Sequence, residues 1–238
     1  MAISTHLVAL LIGLLYPAYL FFTYKKTNNR LKNDENYRLV EYKQLIFIFW
    51  ILTWLVIGNT FFDKSLSLNF YPTFNTTGIV LAVLILIFIG LQIFTSKVST
   101  MEKAESIMEK MKDVYFYLPK SKREFIWFNA LSLSAGICEE IIFRLFMFSY
   151  LLENTNLAIA FILTNVIFAL THIGSGKQNI INSIILGLVW TTMYYFTDNI
   201  WLPIILHCAI DIASGFLGYY SHELVKKNLT EVRDDISS

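Results

Sequence analysis

The chain has 238 residues, of which 55% are hydrophobic and 16% aromatic, and its mean hydropathy is +0.54. These values exclude an ordinary soluble domain and predict an all-α, polytopic membrane protein whose first partner is the lipid bilayer. The formal net charge of +1 provides no basic surface for nucleic acid, so no nucleic-acid partner is expected.

Seven long apolar blocks predict a bundle of seven to eight transmembrane helices. At about 1.5 Å per helical residue the fourth block reaches roughly 42 Å, which exceeds a hydrocarbon core of about 30 Å. That block must therefore tilt strongly or break, and Gly136 is the favoured position for a break, which would add an eighth crossing. The blocks are Leu7–Tyr24, Leu45–Phe62, Gly78–Thr95, Phe125–Leu152, Leu157–Thr171, Ile180–Thr197 and Ile200–Tyr220.

The distribution of Lys and Arg predicts the orientation of the chain. Both types concentrate in the connections at residues 25–43 and 97–123, whereas residues 63–77 contain only Lys64. Cytoplasmic loops carry the excess of Lys and Arg, so the first two connections are expected to be cytoplasmic. Seven crossings then place the amino terminus outside and the tail inside.

The costly ionisable groups of the apolar blocks lie in the carboxyl-terminal half of the chain. A central Asp, Lys or Arg costs about 2.5 to 3.5 kcal/mol on insertion scales, so such groups usually serve chemistry or transport. The sequence places these groups in the fourth block, at the end of the fifth and in the last: Glu139, Glu140, Arg144, His172, His207 and Asp211.

Helical spacing sorts these residues into pairs. Glu140 and Arg144 are i,i+4 neighbours and are expected to form an ion pair, whereas Glu139 is turned by about 100° and has no such partner. His207 and Asp211 are also i,i+4 neighbours, where a carboxylate can fix the imidazole tautomer or share a metal ion. Together with His172 they resemble the parts of a hydrolytic site, although a purely structural charge cluster would also account for the Glu140 pair.

Three motifs carry a resemblance to a known family. Glu139-Glu140-x-x-x-Arg144, Phe168-x-x-x-His172 and His207-x-x-x-Asp211 resemble those of the CAAX prenyl protease and bacteriocin-processing (CPBP, or Abi) intramembrane proteases. The resemblance covers about residues 118 to 218. Many members have Asn at the position of Asp211, and many have Gly at that of Leu145.

The resemblance implies a helical bundle of about eight helices with a conical cavity that reaches the catalytic residues. It assigns Glu139 and His172 to the activation of water, and His207 and Asp211 to stabilisation of an oxyanion or to metal binding. Glu140 and Arg144 then support the site. The cofactor is either none or a divalent metal such as zinc, with Glu139, His172, His207 and Asp211 as the candidate ligands.

The predicted function is that of an intramembrane endopeptidase in a bacterial cell membrane, acting on a peptide or protein tail near the bilayer. The candidate substrates are a prenylated CAAX tail, a peptide leader, a bacteriocin or quorum precursor and a membrane-anchored regulator. The alternatives are a non-catalytic immunity or scaffolding protein and a proton-coupled transporter. The predicted organisation is a scaffold at residues 1–98, a cytoplasmic amphipathic connection at 99–124, a catalytic core at 125–220 and a polar tail at 221–238.

Overall fold

The computed structural model describes residues 1–64, 66, 68–73 and 75–237, without the side chains of residues 232, 234, 236 and 237. Every regular element in this described part is helical, which confirms the predicted all-α class. The α-helices are α1 (Ile3–Leu10), α2 (Tyr16–Asn33), α3 (Tyr37–Phe62), α4 (Thr76–Thr95), α5 (Met101–Lys110), α6 (Lys122–Glu139), α7 (Ser149–Asn154), α8 (Leu157–Leu170), α9 (Lys177–Thr197) and α10 (Trp201–Ser237). Leu11–Leu15 and Glu140–Phe148 are π-helical, and Ile173–Ser175 is one 3₁₀ turn.

Five helices in the described part are long and apolar enough to cross a membrane. They are Ile3–Asn33, Tyr37–Phe62, Thr76–Thr95, Lys177–Thr197 and Trp201–Glu231. Helix α8 is also apolar but has only 14 residues. The protein is therefore an integral, multi-pass membrane protein, and the more specific number of seven to eight crossings stays a prediction.

The fourth apolar block does not break at Gly136. Helix α6 runs through this glycine and continues without interruption into the π-helical segment and α7, so residues 122–154 form one helical run. A Cβ atom at Gly136 would lie 2.4 Å from the Sγ atom and 2.8 Å from the backbone nitrogen of Cys208. The glycine therefore permits close packing of α6 on α10, and the expected break at this position is wrong.

The connections between helices gather at two ends of the bundle. At the first end the Thr5 hydroxyl donates to the Asp63 carboxylate, and the Thr73 hydroxyl donates to the Thr197 carbonyl. At the opposite end the Asn28 amide donates to the Gly174 carbonyl over 2.7 Å. There too the Tyr115 hydroxyl lies 3.1 Å from Nδ1 of His222.

We call this second end the basic end, because it holds the Lys- and Arg-rich connections on either side of α5 and between α2 and α3. Lys64 is the sole Lys or Arg of the described connections at the first end. The two ends thus differ strongly in charge, as expected for opposite faces of a membrane.

Helix α6 is anchored at its amino-terminal end before it enters the bundle. The Ser121 hydroxyl caps the helix by accepting a hydrogen bond from the Glu124 amide over 3.3 Å. Glu124 in turn accepts a hydrogen bond from the Lys120 amide and forms a buried ion pair with Arg38 of α3 at 3.1 Å. Further along, Nε1 of Trp50 donates to the Ser134 hydroxyl over 3.2 Å. These contacts fix the register of α3 against α6.

Candidate active site

Glu139 and Glu140 lie where α6 passes into the π-helical segment, and both side chains are buried. The Oε1 atom of Glu140 is 3.1 Å from Nη1 of Arg144, which confirms the predicted ion pair. The same oxygen is 2.8 Å from Nδ1 of His207 on α10. An ionised carboxylate can only accept, so the His207 Nδ1 atom donates this bond. Glu140 therefore joins the first motif to the third.

The Arg144 guanidinium is enclosed by aromatic rings as well as by Glu140. Its carbon lies 4.2 Å from the centroid of the Phe168 ring and 5.1 Å from that of Trp190. These cation–π contacts partly replace the lost hydration of a fully buried cation. Gly187 completes the enclosure, because a Cβ atom there would lie 3.1 Å from Nη2 of Arg144.

His207 is held on several sides. Its ring stacks on Trp190 at a centroid distance of 4.2 Å and an interplanar angle of 16°. Its Nε2 atom lies 3.5 Å from Oδ2 of Asp211 and 3.7 Å from Oε2 of Glu139. This geometry confirms that His207 and Asp211 share one face of α10. With Nδ1 engaged by Glu140, the Nε2 edge of the ring faces the two other carboxylates.

His172 follows the carboxyl-terminal end of α8. Its Nδ1 atom lies 3.1 Å from the backbone carbonyl oxygen of Phe168, one turn earlier. Because a carbonyl only accepts, this contact requires the proton on Nδ1 and leaves the lone pair of the neutral ring on Nε2. Such a tautomer can accept a proton or a hydrogen bond from water at Nε2.

One cavity of about 350 Å³ brings four of the six predicted site residues to a common surface. Glu139, His172, His207 and Asp211 line it, whereas Glu140 and Arg144 lie behind the wall. The cavity extends from Glu139 to residues of the basic end. The lining there includes Asn28, Tyr37, Val114, Phe116 and Gly174.

Helices α2 and α3 provide a large part of the cavity wall. The α2 residues Tyr16, Tyr19, Thr23 and Thr27 face it at helical spacing. The α3 residues that face it are Tyr37, Glu41, Gln44, Leu45, Ile48 and Phe49. None of these α2 and α3 residues belongs to the three motifs. Their spacing of three to four residues could have indicated a common helix face from the sequence, because residues at that spacing lie on one face of a helix.

The four cavity-lining candidates do not form a metal-ligand set in this arrangement. Among the described residues, no group of three or more His, Cys, Asp or Glu side chains is placed so that it could hold a metal ion. In addition, Nδ1 of His207 and Nδ1 of His172 are already engaged by Glu140 and by a backbone carbonyl. We therefore derive no chemical step through a metal.

Residues 121–213 match the family described as type II CAAX prenyl endopeptidase Rce1-like. The matched segment begins at the cap of α6, ends in α10 and contains all six site candidates. The similarity to this family covers less than half of the chain, and it lies in the segment that carries the three motifs. This similarity agrees with the multi-pass helical structure and with the three motifs that line or support the cavity.

One curated protein that is similar to this chain is "Putative membrane peptidase YdiL" of Bacillus subtilis (strain 168). The two are 34% identical over 76 residues, which is 32% of this chain and 30% of the relative. The matched part thus covers less than a third of the relative's length. No solved structure matches this chain.

Proposed function

We propose that this protein is an intramembrane endopeptidase, in which Glu139 and His172 activate a water molecule for attack on a peptide bond. The observation that carries the proposal is the common cavity. A buried carboxylate without an arginine partner, a histidine with its lone pair on Nε2 and the edge of His207 meet on one surface between apolar helices. These are the groups that hydrolysis by activated water requires.

In the proposed reaction Glu139 takes a proton from a water molecule that is also hydrogen-bonded to Nε2 of His172. The resulting hydroxide forms a bond to the carbonyl carbon of the scissile peptide, and the carbonyl oxygen becomes an oxyanion. Glu139 then passes its proton to the leaving nitrogen as the carbon–nitrogen bond breaks. Acid–base catalysis of this kind contributes about 10² to 10⁴-fold to the rate.

In this proposal, His207 stabilises the oxyanion. With a proton on each nitrogen, its Nδ1 donates to Glu140 while its Nε2 donates toward the cavity. Asp211, 3.5 Å from Nε2, favours the charged ring and orients it. Glu140 and Arg144 are positioning residues, because they act on His207 and do not line the cavity.

For the membrane arrangement we propose seven crossings. The five long apolar helices, the helical run at residues 122–154 and α8 would then alternate between the two ends of the bundle. This arrangement places the basic end in the cytoplasm and the amino terminus outside. It also assigns residues 1–98 to a wall-forming unit, 99–124 to a cytoplasmic connection, 125–220 to the catalytic core and 221–238 to a polar tail.

The cavity would then receive its substrate from the cytoplasmic side of a bacterial cell membrane. A peptide or protein tail at the membrane surface, as in CAAX-type processing, fits this access. An exposed peptide bond must reach Glu139, so the substrate segment is expected to be extended inside the cavity.

The test compares the peptides of membranes from cells that carry the wild type, Glu139→Gln or Glu153→Gln. Glu153 is exposed, lies at the first end of the bundle and controls for the loss of one carboxylate. A peptide that is shortened with the wild type and Glu153→Gln, but not with Glu139→Gln, would support the proposal and identify a substrate.

The alternatives predict other results. A non-catalytic immunity or scaffolding protein would retain its cellular function in Glu139→Gln and change no peptide. A transporter would give a proton flux into liposomes that depends on Glu139 without any hydrolysis.

A further inference from the structure

Glu41 is a carboxylate in the cavity wall that the proposed reaction does not use. It lies on α3, lines the same cavity as Glu139 and is half-buried. Tyr37, one helical turn earlier, lies beside it. The described residues provide no ion pair for Glu41, although buried acids elsewhere in this protein, such as Glu124 and Glu140, have one. Besides its contact with Tyr37, the Glu41 carboxylate can therefore accept hydrogen bonds from a cationic group that enters the cavity.

The cavity lining is richer in acids than in strong bases. Among the described residues that line it there is no Lys or Arg, while three acids do so: Glu41, Glu139 and Asp211. Two nearby cations lie against aromatic rings of the lining rather than against these acids. Arg30 lies over the ring of Tyr37 at 5.5 Å, and Lys32 lies over that of Phe116 at 5.0 Å. A free carboxylate at the end of a substrate would therefore meet three acids and no lysine or arginine.

We propose that Glu41 binds a Lys or Arg side chain of the substrate, which makes the preferred substrate a basic peptide segment. This inference rests on the proposed endopeptidase function. A charge-assisted hydrogen bond to the carboxylate would hold the cationic head. Tyr16 and Tyr19, which line the same cavity, offer faces for the aliphatic stem and for cation–π contact.

The alignment of α3 with α6 gives the distance between the Glu41 carboxylate and the scissile bond. Arg38 pairs with Glu124 and Trp50 contacts Ser134, so Glu41 lies near the level of Trp127 on α6. From there to Glu139 the helix rises roughly 18 Å at about 1.5 Å per residue. An extended peptide covers that distance in about five residues at roughly 3.3 Å each. The basic residue is therefore placed about five positions from the bond that is cut.

Binding is tested with capped twelve-residue peptides of Leu, Ala and Gln that carry a single Lys, Gln or Glu at the sixth position. The full-length protein is held in nanodiscs and carries Glu139→Gln, which prevents turnover. Fluorescence anisotropy then gives the affinity of each peptide. We expect the Lys peptide to bind about 10-fold more tightly than the Gln peptide, with the Glu peptide weakest.

Two further variants test whether Glu41 causes the preference for the Lys peptide. Adding Glu41→Gln should reduce the ratio of Lys to Gln affinity to about one. Adding Glu105→Gln, which removes an exposed carboxylate of α5, should leave the ratio unchanged. A Lys preference that survives Glu41→Gln, equal affinity for all three peptides or absence of binding would each overturn the proposal.

A cleavage measurement separates this inference from the proposed function. The same peptides are incubated with protein that retains Glu139, and the products are identified by mass. Cleavage that depends on Glu139 but not on the Lys would support the endopeptidase and overturn the role of Glu41. A Lys preference in binding that depends on Glu41, without cleavage, would support the cationic site and count against the endopeptidase.

Discussion

Nδ1 of His207 lies 2.8 Å from the same Glu140 oxygen that accepts a hydrogen bond from Arg144. One carboxylate therefore neutralises a buried guanidinium and orients the imidazole of a helix that is 67 residues away in sequence. Removing charge behind the cavity should consequently affect folding, whereas removing it inside the cavity should affect only chemistry.

Glu139→Gln should abolish most hydrolysis and leave the fold intact. The substitution keeps the volume of the side chain and removes a base, so the rate should fall about 10² to 10⁴-fold. The hydrolysis rate and the melting temperature of the purified protein measure the two effects. A melting temperature well below that of the wild type would assign Glu139 a structural role instead.

Arg144→Ala should lower the amount of folded protein. It leaves Glu140 buried without its arginine, and breaking a buried pair in this way costs about 3 to 5 kcal/mol. Membrane abundance and thermal unfolding in detergent measure this loss. Normal accumulation of Arg144→Ala together with an unstable Glu139→Gln would show that the assignments of pair and base are reversed.

Gly136→Ala should destabilise the packing of α6 on α10. Its Cβ atom would lie 2.8 Å from the Cys208 backbone nitrogen, which cannot move as a flexible side chain can. Overpacking of this kind costs about 1 to 3 kcal/mol. Gly58→Ala is the matched control, because nothing lies within 4 Å of the added atom. The two melting temperatures should differ, and equal values would argue against close helix contact at Gly136.

Single-cysteine labelling should distinguish the two ends of the bundle. With Cys138 and Cys208 replaced by Ala, a cysteine at Ser106 should react with an impermeant reagent only from the cytoplasmic side. A cysteine at Tyr71, whose side chain is 83% exposed, should react only from outside. Reaction of both from one side would contradict the seven-crossing arrangement.

Metal analysis of the purified protein should find no stoichiometric zinc, and a chelator should leave hydrolysis unchanged. Asp211→Asn should then retain activity, because an amide can still hydrogen-bond to His207. Stoichiometric zinc, with activity lost to the chelator and restored by zinc, would instead favour Asp211 and His207 as ligands.

Helical spacing alone predicts two of the contacts within the site. Glu140 and Arg144, like His207 and Asp211, are one turn apart on a helix, so their proximity follows from the period of 3.6 residues. The bond between Glu140 and His207 could not be predicted in this way. It depends on how α6 packs on α10. Contacts between residues that are far apart in the sequence, such as Gly136 and Cys208, determine this packing.

The cavity wall was harder to predict because its residues have ordinary roles in other proteins. Tyrosine and threonine on α2 resemble interfacial residues, and Glu41 precedes the second apolar block by only four positions. In the sequence Glu41 therefore belongs to a charged connection. In the structure α3 begins at Tyr37, so Glu41 lies within the first turns of a helix that faces the cavity.

The close contact of Gly136 with Cys208 also has a consequence for biosynthesis. Helix α10 carries His207 and Asp211, and it leaves the ribosome after α6 and α8. Before it packs against α6, the nascent chain contains Glu139 and His172 but lacks the His207 imidazole that is proposed to stabilise the oxyanion. The emerging protein would therefore remain inactive toward its neighbours in the membrane until α10 was inserted and packed.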